Sequence, residues 1–173
     1  MFEGGIFMKK HVLSVLVRNS SGVLSRVSGL FSRRGYNIDS LSVGKTNDPE
    51  ISRMTISLNG DDDILEQFQK QLSKLVETIS VENLKPEDAV YRELVLIKVK
   101  ADSENRAAIN EIVKIFRSKI IDISKETLTI ELTGDESKIT AIINLMEEYG
   151  IKEIVRTGVT ALERGDKTIK SHK

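Results

Sequence analysis

One order of strands and helices occurs twice in this chain, and this duplication constrains the fold more than any other feature. The first copy covers residues 9–85 and the second covers residues 92–165, and the segment Lys85-Pro86-Glu87-Asp88 leads from one to the other. In each copy, stretches that alternate with period two and stretches with helical periodicity follow the order βαββαβ. The chain is therefore predicted to form two consecutive α+β domains of the ferredoxin-like class, each with two helices on one face of a four-stranded antiparallel sheet.

The first strand and the first helix are separated by a polar turn. Residues 10–17 are predicted to form a strand that ends at Asn19-Ser20-Ser21-Gly22. A helix follows, with Ser20 or Ser21 as its N-cap and Gly35 as its C-terminal stop. Its predicted core face consists of Val23, Leu24, Val27, Leu30 and Phe31.

Two strands, a helix and a last strand complete the first copy. Residues 36–45 and 53–58 are predicted strands, and residues 78–84 form the last one. Gly60-Asp61-Asp62-Asp63 is predicted to end the third strand and to cap the second helix, whose dipole favours acidic residues there. The predicted core face of that helix consists of Ile64, Leu65, Phe68, Leu72, Leu75 and Val76.

The second copy follows the same plan. Strands are predicted at residues 93–100, 120–124 and 128–132, and Gly150 is predicted to end the second helix. The last strand is predicted from Ile151 to about Leu162. The two helices of this copy are predicted to face the core with Ile109, Ile112, Val113, Phe116, Ile139, Ile142, Ile143 and Met146.

Composition excludes several classes of protein. Lys and Arg number 26, as do Asp and Glu, so the zero net charge lacks the broad positive potential of a nucleic-acid binder. The absence of cysteine excludes disulfides and thiolate sites. No stretch approaches the roughly 18 apolar residues of a membrane span, and the N-terminus lacks the pattern of a signal peptide. A cytoplasmic protein without membrane or nucleic-acid partners is expected.

No catalytic site and no metal site are predicted. His11 stands at a strand start and His172 near the C-terminus, and neither has a nucleophile or a metal ligand beside it. Asp61-Asp62-Asp63 fits a helix cap better than a hard-metal site, which needs carboxylates at alternating positions. Ser32-Arg33-Arg34 could contact phosphate or complement the helix dipole, and the latter is favoured. Phosphate-binding loops, dinucleotide fingerprints and nucleophile elbows are absent.

The turn Asn19-Ser20-Ser21-Gly22 could bind a small anion. A strand-loop-helix turn leaves backbone N–H groups free at the helix N-terminus, and Gly22 has no Cβ to block a ligand. Asn19 offers donors and an acceptor, which suits a zwitterion, and Asn37 could converge on the same place. The equivalent loop of the second copy, Ala101–Asn105, lacks glycine and has two acids. The plainer alternative is that Asn19 and Gly22 only form a tight turn and that Asn37 is a polar strand entry.

Long stretches of the chain closely resemble one family. Residues 13–56 read LSVLVRNSSGVLSRVSGLFSRRGYNIDSLSVGKTNDPEISRMTI, which resembles the opening of the acetolactate synthase (acetohydroxyacid synthase) small-subunit family. Four further stretches support the resemblance, and it covers almost the whole chain from about Met8. They are LEQFQKQLSKLVE, RELVLIKVKA, IFRSKIIDIS and VRTGVTALERGDK.

The resemblance implies a regulatory rather than a catalytic chain. It implies an N-terminal ACT domain, an amino-acid sensor of the ferredoxin-like class, and a C-terminal domain of related topology. Members of this family bind a catalytic large subunit, raise its activity and transmit feedback inhibition, typically by valine. The effector lies between the ACT domains of two subunits, so a homodimer is implied.

The resemblance also implies which residues bind the effector. The effector loop maps onto Asn19, Gly22 and the next three residues, and the facing strand maps onto Asn37 and Ile38. No cofactor is implied on this chain, whereas thiamine diphosphate, Mg and FAD are expected on the large subunit. Leucine or isoleucine could replace valine as effector, since one methylene group in an apolar pocket discriminates by only about 1–3 kcal/mol. The effector-binding residues implied are Asn19, Gly22, Val23, Leu24, Ser25, Asn37 and Ile38.

Two other functions compete with this interpretation. A stand-alone ACT sensor could regulate a different enzyme, and copurification of the large subunit would distinguish the two. RNA-recognition modules share the topology, but they stack bases on aromatic residues of the sheet. Aromatic residues are only 5% of this chain and it has no tryptophan, so RNA binding is disfavoured.

Overall fold

A computed structural model describes residues 9–33 and 36–169 of the chain. The elements of the first half are β1 (Lys9–Arg18), α1 (Val23–Arg33), β2 (Ile38–Lys45), β3 (Ile51–Gly60), α2 (Asp62–Ser73) and β4 (Thr78–Asn83). Those of the second half are β5 (Ala89–Lys100), α3 (Arg106–Ile115), β6 (Lys119–Ile123), β7 (Thr127–Gly134), α4 (Glu136–Glu147), β8 (Ile151–Arg156) and β9 (Thr160–Glu163).

The two sheets confirm the predicted fold class. The first sheet has the strand order β2-β3-β1-β4, and every adjacent pair is antiparallel. The second sheet repeats this order as β6-β7-β5-β8, with β9 as an additional strand on β5. Both are ferredoxin-like βαββαβ units, because the two strands that precede the helices lie in the centre of each sheet.

The chain divides into two compact units. One comprises the described residues up to Val90 and from Val159 on, and the other comprises Tyr91–Gly158. In the first unit, alternate residues of β1 and β3 face α1 and α2, and the ring of Phe68 lies 4.5 Å from that of Phe31 and 4.6 Å from that of Tyr36. The core of this unit consists of Leu13, Val15, Val17, Val23, Val27, Phe31, Met54, Ile56, Leu58, Leu65, Phe68 and Leu72.

The core of the second unit is built in the same way but is aliphatic. Alternate residues of β5 and β7 face one apolar side of α3 and of α4. All of its members are at most 4% exposed, which is the burial that period-two and period-3.6 patterns predict for one-sided elements. They are Val95, Ile97, Val99, Ala101, Ile109, Val113, Leu128, Ile130, Leu132, Ile139, Ile142 and Met146.

Two predicted core residues are exposed instead. Leu24 is 47% exposed. The buried face of α1 runs through Val23, Val27 and Phe31, and Leu24 lies about 100° around the helix from Val23, away from that face. Val76 is 91% exposed, because α2 ends at Ser73 and helical periodicity no longer applies after it. The predicted stop Gly35 lies outside the described residues.

The last predicted strand is two strands. β8 ends at Arg156 and β9 begins at Thr160, and Gly158 between them has a φ of 78°, which breaks the extended conformation. β9 follows Val159, where the chain has re-entered the first compact unit. The predicted limits of the second domain, 92–165, therefore include a short segment that packs with the first unit.

Both second helices are capped by aspartate, as predicted for the first of them. The carboxylate of Asp61 accepts a hydrogen bond of 2.8 Å from the N–H of Ile64. Asp135 accepts one of 2.9 Å from the N–H of Lys138, and this bond, with a second from the Ser137 hydroxyl, lowers the pKa of Asp135. Asp61 is thus the cap of α2, and Asp62 and Asp63 are acidic residues in its first turn. The described residues contain no group of three potential metal ligands.

Candidate functional site

Gly22 shapes the turn between β1 and α1. Its φ is 82°, in the left-handed region that favours glycine, and its carbonyl accepts the first helical hydrogen bond, 3.0 Å from the N–H of Arg26. Gly22 therefore occupies the N-cap position. The prediction that Ser20 or Ser21 caps the helix is wrong. Both serines precede Gly22, so neither is the residue directly before the first helical residue, Val23.

The first three N–H groups of α1 have no acceptor in the described part of the chain. They belong to Val23, Leu24 and Ser25, and the first N–H group to be bonded is that of Arg26. Leu24 and Ser25 are exposed, so a ligand can reach this end of the helix. Unbonded N–H groups at the positive end of a helix dipole favour a carboxylate or a phosphate.

Asn19 has a structural contact and a free acceptor. Its backbone N–H donates to the carbonyl of Glu50 at 2.7 Å, and its Nδ2 donates to that of Pro49 at 2.9 Å. These bonds fix the β1–α1 turn to the turn that precedes β3, so the plainer interpretation of Asn19 as a turn residue is correct in part. Its Oδ1 accepts no hydrogen bond from the described residues and can accept one from an ammonium group.

Asn37 and Ile38 lie at the opposite end of the sheet from the turn. Ile38 pairs with Leu58 of β3, which in turn pairs with His11 near the start of β1. Seven residues of strand separate His11 from Arg18, a distance of roughly 23 Å at about 3.3 Å per residue. The expectation that Asn37 converges on Asn19 within one chain is therefore wrong, since β2 runs in the same direction as β1. Asn37 is exposed, and Ile38 is half-buried against the core.

In the equivalent loop of the second unit, an aspartate carboxylate accepts hydrogen bonds from the backbone of the loop itself. Asp102 Oδ1 accepts hydrogen bonds from the N–H groups of Glu104 at 3.0 Å and Asn105 at 3.1 Å, and these bonds lower the pKa of Asp102. Asn105 Oδ1 accepts from the N–H of Asp102 at 2.9 Å, and Arg106 donates to the carbonyls of Ala101, Ser124 and Lys125. Sequence reasoning treated the acids of this loop as repelling a carboxylate and missed that one of them accepts hydrogen bonds within the loop, just before α3 begins at Arg106.

The other candidate residues that the structure describes make contacts within the fold. His11 is buried, with Nε2 3.2 Å from the carbonyl oxygen of Gly60 and 3.9 Å from a carboxylate oxygen of Asp62. Arg33 Nε donates to the carbonyl of Gly29 in the last turn of α1, which is the role at a helix end that the sequence favoured. Arg34 and His172 lie outside the described residues. In the ranges 9–33 and 36–169, no helix is long and apolar enough to cross a membrane.

Two family models match the two copies. One, for the ACT domain of acetohydroxyacid synthase small subunits, matches residues 13–80, and the other, for the small subunit of acetolactate synthase, matches residues 92–165. The chain belongs to the acetolactate synthase small-subunit family. Together the two models account for most of the chain, so the family suggested by the sequence motifs is confirmed.

Known members of the acetolactate synthase small-subunit family match over nearly their full length. The chain is 54% identical to a probable acetolactate synthase small subunit of Archaeoglobus fulgidus, covering 91% of this chain and 99% of the relative. It is 50% identical to the acetolactate synthase small subunit of Mycolicibacterium smegmatis, covering 92% and 94%. The crystal structure of the small subunit from Thermotoga maritima is similar with a TM-score of 0.85 at 44% identity, covering 92% and 100%.

Proposed function

We propose that this chain is the regulatory subunit of an acetolactate synthase and that it binds valine at the start of α1. The observation that carries the proposal is the row of three N–H groups, those of Val23, Leu24 and Ser25, which have no acceptor in the described chain. In the second unit, the N–H group of the first helical residue, Arg106, donates to the backbone carbonyl of Asp102, and the two N–H groups before it donate to the Asp102 carboxylate. The site offers hydrogen-bond donors to an anion, which suits a sensor that acts on a separate catalytic subunit.

The turn can hold both charges of an amino acid. The carboxylate of valine accepts hydrogen bonds from the free N–H groups, where charge-assisted bonds are worth about 1.5–3 kcal/mol each. Gly22 allows this approach because it has no Cβ. The ammonium group of the ligand donates to Asn19 Oδ1. The isopropyl group lies against apolar neighbours, which discriminate valine from leucine or isoleucine by only about 1–3 kcal/mol.

A second copy of the chain completes the site. Asn37 and Ile38 lie roughly 23 Å along the sheet from the turn of their own chain, so they can face a ligand on α1 only from another molecule. The effector then bridges two ACT domains in a homodimer. Leu24 and Val43, each 47% exposed, are apolar residues on α1 and β2 that such a dimer would cover.

Regulation follows if the two ACT domains that the effector bridges move relative to each other. Valine shifts the dimer between two arrangements, of which one supports the active conformation of the large subunit, and typical couplings of this kind are about 1–3 kcal/mol. Thiamine diphosphate, Mg and FAD belong to the large subunit in this proposal, and this chain carries none of them. The complex acts in the cytoplasm.

The experiment is an activity assay of the large subunit with and without this chain. We expect the chain to copurify with the large subunit, to raise its activity and to make it sensitive to valine. The matched control is the large subunit alone, which is expected to be less active and insensitive. Copurification without any change in activity or in valine response would overturn the regulatory assignment, and failure to copurify would favour a stand-alone amino-acid sensor.

A further inference from the structure

The residues Thr157, Gly158 and Val159, here called the link, are anchored at both ends. Thr157 is fixed to β5 of the second unit. Its N–H donates to the carbonyl of Leu94 at 3.1 Å, and its Oγ1 accepts from the N–H of Leu94 at 3.1 Å. The first residue of the link therefore moves with the central strand of the second sheet.

The third residue of the link is fixed to β2 of the first unit. The N–H of Val159 donates to Ser40 Oγ at 3.3 Å, and Ser42 Oγ donates to the carbonyl of Val159 at 3.1 Å. Ser40 Oγ lies 2.7 Å from Ser57 Oγ on β3, so its own proton has an acceptor there. These are the two serines that follow Ile38 at alternate positions, on the strand whose start carries the proposed effector residues Asn37 and Ile38.

The segment after the link is held in the same unit. Residues 160–164, here called the strap, include Ala161, which is 3% exposed. The N–H of Arg164 donates to the carbonyl of Asp88 at 2.8 Å, and its Nε donates to that of Ala89 at 3.1 Å. Because the strap is fixed beyond Val159 as well, a shift of β2 cannot be absorbed by loosening the chain end.

Gly158 is the only residue between the two anchors. Its φ of 78° lies in the left-handed region, and consecutive Cα atoms are fixed about 3.8 Å apart. A displacement of β2 is therefore absorbed by rotation at Gly158, or it passes to Thr157 and to β5. A link this short, with a hydrogen-bonded residue on each side of one glycine, has few other ways to respond.

We infer that the link transmits the state of β2 to the second unit, and that Ser40, Ser42 and Thr157 are positioning residues for feedback inhibition. The inference rests on the proposed function, since it assumes that effector binding acts on the start of β2. It assigns the anchors a role that is separate from effector binding. Removing either anchor uncouples the second unit from β2 while the turn at Gly22 stays intact.

The test uses the complex of the large subunit with the full chain. One variant combines Ser40→Ala with Ser42→Ala, and a second variant, Thr157→Val, weakens the opposite anchor by removing its side-chain hydrogen bond while it keeps the backbone bond and the side-chain shape. The matched control combines Ser32→Ala with Ser73→Ala, because these hydroxyls donate to carbonyls of their own helices, Ser28 and Gln69. Three quantities are measured: activity without valine, the Kd of valine, and inhibition by valine.

Both anchor variants are expected to activate the large subunit and to bind valine with a Kd within about twofold of the parent chain. Their inhibition by valine is expected to weaken by about fivefold or more, the lower range of typical allosteric couplings, while the control variant stays like the parent. Unchanged inhibition in both anchor variants would overturn the inference, and so would a parallel loss of valine binding. A parent chain that binds no valine would instead refute the proposed function.

Discussion

The loops before α1 and α3 occupy the same position in two units of one fold, yet their N–H groups are bonded differently. Before α3, the carboxylate of Asp102 accepts from the N–H groups of Glu104 and Asn105, and its backbone carbonyl accepts from the first N–H group of the helix, that of Arg106. At α1, Gly22 turns the chain with a φ of 82°, and the next three N–H groups have no acceptor in the described chain. The loop before α3 therefore bonds its own N–H groups up to the first helical residue, and the loop before α1 does not.

The proposed function assigns the ligand to the loop that leaves more of its N–H groups unbonded. The loop before α3 bonds its N–H groups through Asp102 up to the first residue of the helix. Unbonded N–H groups at a helix N-terminus favour an anion, and in this proposal the carboxylate of the effector supplies the acceptors at α1. Under the same proposal, the second unit keeps the fold without an effector site.

Mixed dimers test the largest consequence of this comparison, namely that the open end of α1 faces a second copy. Gly22→Asp blocks the turn, and Asn37→Ala removes an amide from the facing strand, so each homodimer is expected to bind valine at least about tenfold more weakly. A dimer of one chain of each kind contains one intact site, formed by the turn of the Asn37→Ala chain and Asn37 of the Gly22→Asp chain. Calorimetry of coexpressed, separately tagged chains is expected to show one valine per mixed dimer.

The control for the mixed dimer is a dimer of tagged parent chains, which is expected to bind two molecules of valine. If the mixed dimer binds valine no more tightly than the two variant homodimers do, the two parts of the site do not come from different chains. The sheet register would then have to be reconsidered, because it separates Asn37 from the turn within one molecule.

A pH titration tests the smaller effect at the closed loop. Hydrogen bonds from the N–H groups of Asn105 and Glu104 lower the pKa of Asp102 below the unfolded value of about 4, so their stabilisation is present above pH 4 and is lost as pH falls through the folded pKa. In NMR spectra recorded in a buffer without carboxylates, these two amide signals are expected to shift below pH 4. Those of Val23 and Leu24 are expected not to shift over that range.

Asp102→Asn is the matched control for the titration, since it keeps the shape and removes the ionisable group. The amide signals of Glu104 and Asn105 are expected to lose their acid shift in this variant. An acid shift of the Val23 and Leu24 amide signals in the parent chain, with the same midpoint pH as that of Glu104 and Asn105, would contradict the account. It would place a carboxylate of the chain at the open loop as well.

The fold could be predicted because its main signals are local. The alternation of Met54, Ile56 and Leu58 and the stripe Val23, Val27 and Phe31 each depend on spacing alone, and both are buried as expected. Val76 and the break at Gly158 were missed for a different reason. A helix that ends early and a strand that divides in two depend on tertiary packing, which one-dimensional periodicity does not contain.

The site was predictable only in part. The turn at Gly22 could be found because glycine before an amphipathic helix is a local signal. The separation of Asn37 from Asn19 could not be seen without the sheet register, which depends on long-range pairing. The hydrogen bonds that Asp102 accepts within the second loop were also missed. They come from the N–H groups two and three residues after it, which is a common turn pattern for aspartate.

The most direct test of the central claim is a calorimetric titration of valine, with leucine and isoleucine alongside, into the parent chain, Gly22→Asp and Gly165→Asp. Gly165 has a φ of 65° and open space around it, so its aspartate variant carries the same charge and a similar backbone strain away from α1. We expect saturable binding by the parent chain and by Gly165→Asp, and a loss of about a hundredfold or more in folded Gly22→Asp, because like charges meet at the turn. Equal binding of valine by Gly22→Asp and the parent chain would contradict the account.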